Sequence, residues 1–185
     1  KSLQYKSTNL NHYDYDKFTL ESVWETPPID LNKEYFIRVK TSGRYLRAWD
    51  TGSAHSSSFN GGDEIKFTLR RRAGGYYDIT SKSTGRRLRY SDDEYGRYTT
   101  AYCSNCEEDN YLFSLEKADS NNSWTTPDGS YTIKNKSSGK YLQEFFDVET
   151  GPIHRNIVGI SEPNDGYANF FLDDSFQTST DYSGE

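Results

Sequence analysis

The chain alternates apolar and polar residues over short stretches, and three of these stretches share one spacing. Each begins with a Tyr, at position 35, 77 or 131, followed by an Ile two residues later, a Gly eight later and a Leu eleven later. Residues two apart lie on the same face of a strand, so the Tyr and Ile are predicted to point into a core. The Gly is predicted to form a hairpin turn and the Leu to open the returning strand.

A second pattern closes each of the three segments, with a Phe and a Leu two residues apart. The pairs are Phe67 and Leu69, Phe113 and Leu115, and Phe170 and Leu172. This spacing again indicates a strand with one buried face. Loops rich in Gly, Ser, Asn and Asp separate the two patterns, so the chain contains a true internal repeat with about four short strands in each copy.

Three copies of a four-strand unit, without a helical period, predict an all-β protein. A propeller typically needs at least four blades, and a sandwich does not explain the repetition. We therefore expect a β-trefoil with three internal repeats of about four strands each. The trefoil domain is predicted over residues 33–174. An N-terminal extension that can add a strand precedes it, over residues 1–32. A flexible acidic tail follows it, over residues 175–185.

The segment "YFIRVKTSGRYLRAWD" with the later "DEIKFTLRR" resembles the fascin-like and ricin-B-like lectin branches of the β-trefoil superfamily. The Gly followed by "YL", with Ala48 two residues beyond Leu46, is most similar to the fascin-like pattern. Ricin-type lectins place an Asp after the residue that opens the second strand and end each repeat in Gln-x-Trp. The present chain departs at both places, with Arg47, Arg89 and Gln143 at the first and Phe67, Phe113 and Phe170 at the second.

An Asp recurs shortly after the Leu of each repeat, close to aromatic and amide side chains. An aromatic ring stacks on the C–H face of a sugar while carboxylates and amides bond its hydroxyls, so this combination is typical of sugar sites. An Asp after a strand is also a common turn former, and this interpretation stays open. The candidate ligand-binding residues are Asp50 and Trp49 with Asn60, Asp92 and Tyr95 with Asn105, and Asp147 and Phe146 with Asn156.

The net charge of −6 argues against a general nucleic-acid binder, which normally carries a positive excess. Basic residues nevertheless concentrate in the middle of the chain, from Lys66 to Arg89. This concentration indicates either a solvated surface of mixed charge or a local basic patch for an acidic ligand such as a sulfated or sialylated glycan.

Catalytic motifs are absent from the sequence. The three histidines, His12, His55 and His154, stand far apart and in no nucleophile or metal motif. We expect no enzymatic activity, no cofactor and no metal site.

The sequence favours an extracellular protein. No stretch is apolar enough to span a bilayer, and a chain that starts at Lys1 and contains no Met suggests processing, for which secretion is the simplest cause. The single CxxC, Cys103 and Cys106, indicates a short-loop disulfide in a secreted protein or two free thiols in a cytosolic one.

Taken together, these patterns predict a non-catalytic recognition module that binds carbohydrate, with a glycan or glycoprotein as partner. Two alternatives use the same fold. One is a fascin-like module that binds a protein such as actin, and the other is a trefoil protease inhibitor or toxin receptor-binding module.

Overall fold

The computed structural model describes residues 29–58, 62–93, 96–103, 107–118, 129–146, 154–163 and 166–177. Twelve strands and three short 3-10 helices lie in these ranges. The strands are β1 Glu34–Val39, β2 Tyr45–Ala48, β3 Ala54–Ser57, β4 Lys66–Arg71, β5 Tyr77–Ser81, β6 Arg87–Tyr90, β7 Tyr98–Ala101, β8 Phe113–Lys117, β9 Tyr131–Asn135, β10 Tyr141–Phe145, β11 His154–Ile160 and β12 Asn169–Asp173. The 3-10 helices span Gly62–Ile65, Ala73–Gly75 and Asp109–Tyr111.

Six strands close into a barrel. Strand β1 pairs with β4, β4 with β5, β5 with β8, β8 with β9, β9 with β12, and β12 again with β1, all antiparallel. The remaining strands form three hairpins, β2–β3, β6–β7 and β10–β11, and β3 also pairs with β11. Each sequence repeat supplies two barrel strands and one hairpin, which is the topology that the repeat predicts.

The repeated apolar residues fill the barrel. The three repeat Ile residues, the three Leu residues of the first pattern and the three Phe residues of the second are all completely buried; they are Ile37, Ile79, Ile133, Leu46, Leu88, Leu142, Phe67, Phe113 and Phe170. Leu115 and Leu172 are partly buried and pack against this core. Burial of these side chains is the main source of the barrel's stability.

The three hairpin turns share the same backbone hydrogen bond as well as the same sequence pattern. The backbone φ is +67° at Gly43, +67° at Gly85 and +66° at Gly139, a region that side chains with a Cβ rarely adopt. Each Gly N–H donates to the carbonyl four residues earlier, over 2.9, 2.9 and 3.0 Å respectively. The glycines are therefore required by the turn geometry.

A second, smaller apolar cluster lies outside the barrel. Phe36, Tyr45 and Ile65 are buried there, and Phe176 packs against them. The Tyr45 hydroxyl donates to the carbonyl of Gln177 over 3.1 Å and accepts from its N–H over 3.0 Å. The chain thus stays attached to the barrel through Gln177, the third residue of the segment predicted as a flexible tail. The rest of that tail, residues 178–185, lies outside the described residues. So do residues 1–28 of the predicted N-terminal extension.

Two further sequence expectations concern the cysteines and membrane-spanning segments. Cys103 is disulfide-bonded, in agreement with the first of the two alternatives for the CxxC, while Cys106 lies outside the described residues. Of the helices in the described part of the chain, none has the length and apolar character needed to cross a bilayer.

Candidate functional site

In each repeat the end of the second strand lies beside the turn before the fourth, and we call this place the first, second or third cleft; open pockets lie at the second and third. Two positions define the cleft: the residue after the buried Leu, and the residue three before the buried Phe. These positions hold Arg47 and Glu64 in the first cleft, Arg89 and Asn110 in the second, and Gln143 and Tyr167 in the third. The clefts therefore share a scaffold and differ in chemistry.

The first cleft is closed by the chain's own side chains. Arg47 donates from Nε to Oε2 of Glu64 over 2.7 Å and bonds the same oxygen through Nη2. The guanidinium carbon lies 4.8 Å from the centre of the Trp49 ring, a cation–π contact. One face of Trp49, which is partly buried, is thus covered by Arg47.

The second cleft is a polar pocket of about 310 Å³, lined by Arg89, Tyr90, Ser91, Asp92, Asn110, Ser137 and Ser138. Tyr90, one of the lining residues, accepts a hydrogen bond at its hydroxyl from Nζ of Lys140 over 3.0 Å. The pKa of Lys140 is raised, chiefly by this hydrogen bond and to a smaller extent by the charge of Asp92. Hydroxyl and charged groups dominate this pocket.

The third cleft is larger and aromatic. It forms a pocket of about 510 Å³ lined by Gln143, Glu144, Phe145, Phe146, Arg155 and Tyr167. The three rings are exposed to solvent, Phe145 by 49%, Phe146 by 56% and Tyr167 by 38%. A cluster of exposed rings around one pocket is uncommon on a protein surface and typically marks a binding site.

A buried carboxylate organises the polar side of this pocket. The Glu144 side chain is completely buried; its Oε2 accepts from Nη1 of Arg155 over 3.0 Å, and its Oε1 accepts from the Ser56 hydroxyl. Arg44 lies 4.0 Å away, so two arginines flank one carboxylate. The Arg155 guanidinium lies 5.1 Å from the Phe146 ring centre, which fixes the ring beside the charged group.

Two polar atoms in this pocket lack partners. Oε1 of Gln143 and Nε of Arg155 are buried and have no hydrogen-bond partner among the described residues. Buried polar atoms are nearly always bonded, and these two atoms are closed to solvent, so an enclosed water is the expected partner. The third cleft therefore combines exposed rings with two partly exposed polar side chains, Gln143 and Arg155.

Five of the nine residues predicted for ligand binding lie in the described part of the chain. Asp92 lines the second cleft and Phe146 the third, whereas Asp50 is exposed in the β2–β3 turn and Trp49 is covered by Arg47. Asn156 pairs with Phe145 and His55 in the sheet and is not among the residues that line the third cleft. Asn60, Tyr95, Asn105 and Asp147 lie outside the described residues. All nine roles stay predictions.

Glu144, Arg155 and Tyr167 are not among the site residues that the sequence predicts. The signal for Tyr167 was present, because the position three before each repeat Phe is a fixed offset in the pattern. Arg155 had no such signal, since it reaches the pocket from β11 through the pairing of that strand with β10.

Comparison with solved structures assigns the fold. The chain is similar to the BEL β-trefoil in an apo crystal form, with a TM-score of 0.61 and 16% identity over 78% of this chain and 94% of that chain. The chain has the β-trefoil fold. This trefoil is also similar to the designed threefold-symmetric protein ThreeFoil, with a TM-score of 0.60 and 20% identity over 76% of this chain and 98% of that chain.

A third structure similar to this trefoil is SeviL bound to the asialo-GM1 saccharide, with a TM-score of 0.57 and 17% identity over 78% of this chain and 98% of that chain. Identities this low show the common fold alone. No family model and no curated protein matches the trefoil sequence. The predicted all-β class and trefoil architecture are confirmed.

Proposed function

We propose that this trefoil is a non-catalytic carbohydrate-binding module that acts outside the cell, with the third cleft as its principal site. The observation that carries the proposal is the group of three exposed rings, Phe145, Phe146 and Tyr167, around one pocket that polar side chains also line. Soluble proteins rarely leave such a group uncovered without a ligand for it.

Each part of the cleft has a role in this proposal. A sugar ring stacks its C–H face on Phe146 or Tyr167, as apolar sugar faces do on aromatic rings. Its hydroxyl groups form hydrogen bonds with the partly exposed side chains of Gln143 and Arg155. Glu144 contacts Arg155 from the buried side and positions it without itself reaching solvent.

Two observations support the wider proposal. SeviL, a protein of the same fold, is described with a bound saccharide. The disulfide at Cys103 fits an oxidising compartment, because disulfides are rare in reducing cytosol.

A glycan array at low and moderate salt tests the proposal. The wild-type chain is expected to bind a neutral or acidic sugar, and Phe146→Ala and Tyr167→Ala are each expected to weaken that binding about tenfold, the worth of one aromatic contact. Tyr102→Ala is the matched control, because Tyr102 is 69% exposed and does not line the third cleft.

Two results would refute the assignment. One is an array without signal on any sugar together with capture of a protein partner, which would favour the fascin-like alternative. The other is sugar binding that Tyr102→Ala weakens as much as Phe146→Ala does, since the ligand would then occupy a different surface.

A further inference from the structure

Positive charge is concentrated in one segment of an otherwise acidic chain. Between Lys66 and Tyr90 there are eight Lys or Arg residues and a single acid, Asp78, although the whole chain has a net charge of −6. The eight are Lys66, Arg70, Arg71, Arg72, Lys82, Arg86, Arg87 and Arg89. Such segregation indicates a surface with a function of its own.

The fold brings three of these arginines around Asp78 on the outer face of β4 and β5. Arg70 lies directly opposite Asp78 in the strand pairing. The Asp78 carboxylate is completely buried, accepts from Nε of Arg72 over 2.6 Å and lies 3.6 Å from Nη1 of Arg87. One buried carboxylate thus orients two guanidinium groups and leaves Arg70, which is exposed, without an ion-pair partner among the described residues.

The basic surface continues into the second cleft. Arg89 follows Arg87 by two residues on β6, so both lie on the same side of that strand. Arg89 also lines the polar pocket. We name the four residues Arg70, Arg72, Arg87 and Arg89 the arginine face.

The trefoil scaffold does not by itself produce this charge. The residues three after each repeat Phe are Arg70, Glu116 and Asp173, so the other two repeats carry acids where this one carries a base. At the position of Asp78 the other repeats hold Phe36 and Thr132. The buried carboxylate with its arginines is therefore specific to this side of the barrel.

We propose that the arginine face binds the sulfate groups of a sulfated polysaccharide. A guanidinium group presents parallel N–H donors that match two oxygens of a tetrahedral anion, and guanidiniums held by a buried carboxylate lose little freedom on binding. A polysaccharide fits better than a nucleic-acid duplex, because a duplex requires a broad positive surface and this chain is acidic outside the patch. The proposal does not depend on sugar binding in the third cleft, which is a different surface.

Heparin affinity of the whole chain tests the proposal. The wild-type chain is expected to bind immobilised heparin, and binding is expected to weaken as salt is raised because the contacts are charged. Arg70→Gln is expected to reduce the affinity about tenfold, the worth of one charge-assisted contact. The Arg70 side chain is exposed and unpaired in the described structure, so its loss should leave the unfolding midpoint unchanged.

The matched control is Lys117→Gln, which removes one charge from an exposed strand residue of another repeat. It is expected to bind heparin as the wild type does, and desulfated heparin is expected not to bind the wild type. An equal loss in Lys117→Gln, full binding by desulfated heparin, or equal affinity for duplex DNA would each overturn the proposal. Phe146→Ala and Tyr167→Ala should keep heparin binding, which separates failure of this site from failure of the third cleft.

Discussion

Arg47 and Glu64 form an ion pair across the first cleft, with two guanidinium nitrogens bonded to the same carboxylate oxygen. The Arg47 side chain is 15% exposed and that of Glu64 36% exposed, so the pair is only partly screened by solvent. The equivalent positions of the third cleft hold Gln143 and Tyr167 and leave an open pocket. One pair of positions thus decides whether a cleft is filled by the chain itself.

A double-mutant cycle on this pair should give a favourable coupling of about 1 kcal/mol, at the upper end for exposed pairs because the geometry is close and partly buried. The variants are Arg47→Ala, Glu64→Ala and the combination, measured by urea unfolding. A coupling near zero would contradict the view that the pair holds the first cleft closed. The cycle on Lys33 and Asp174, both more than half exposed, is the control and should give a smaller value.

Glu144→Gln should lower the free energy of unfolding by about 2 kcal/mol, because it leaves Arg155 and Arg44 without their buried counter-charge. Sugar binding in the third cleft should weaken as well, since Arg155 loses the contact that positions it. Urea unfolding and calorimetric titration with the best ligand from the array measure the two effects. The control is Glu116→Gln, which changes an exposed carboxylate on β8. Its free energy of unfolding and its sugar affinity should stay near those of the wild type. An unchanged stability of Glu144→Gln would contradict the role proposed for the Glu144 carboxylate.

Stability should fall with pH above about 10, the ordinary pKa of tyrosine, partly because of Tyr98. Burial raises the pKa of the Tyr98 hydroxyl, which also donates to the carbonyl of Lys140 over 3.1 Å. Above that pH the unfolded chain releases the Tyr98 proton while the folded chain keeps it. Each further pH unit therefore lowers the free energy of unfolding by up to roughly 1.4 kcal/mol through this group.

Tyr98→Phe is the test of this pH dependence. It should lower stability near neutral pH by about 1 kcal/mol through the lost hydrogen bond and should make the alkaline decline shallower. Unfolding by urea at a series of pH values measures both. Tyr102→Phe, at an exposed position, should keep the wild-type slope; an equally steep decline in Tyr98→Phe would show that other groups cause it.

The repeat made much of the fold predictable. Tyr35, Ile37, Gly43 and Leu46 specify a strand, a turn and a returning strand through their spacing alone, and the structure assigns each the predicted position. A local pattern could not reveal the attachment of Phe176 and Gln177 to Tyr45, because those residues are more than 130 positions apart.

The candidate site was only partly predictable. The sequence predicts Phe146 and Asp92 because aromatic and acidic residues follow the repeat Leu at short distances; Phe146 lines the third cleft and Asp92 the second, and their roles in binding stay predictions. Arg155 and Glu144 were missed, since their contact depends on the register between β10 and β11.

The sequence by itself determined the threefold barrel, because apolar periodicity and turn glycines act over a few residues and three copies leave few ways to close a sheet. Only the tertiary structure decided how the three clefts differ. Their contents depend on which side chains distant strands bring together: Arg47 with Glu64, Asp78 with Arg72 and Arg87, and Glu144 with Arg155 beside Phe146 and Tyr167. Ion pairing and burial depend on distance in space. They therefore give different chemistry to clefts that occupy equivalent positions in the repeat.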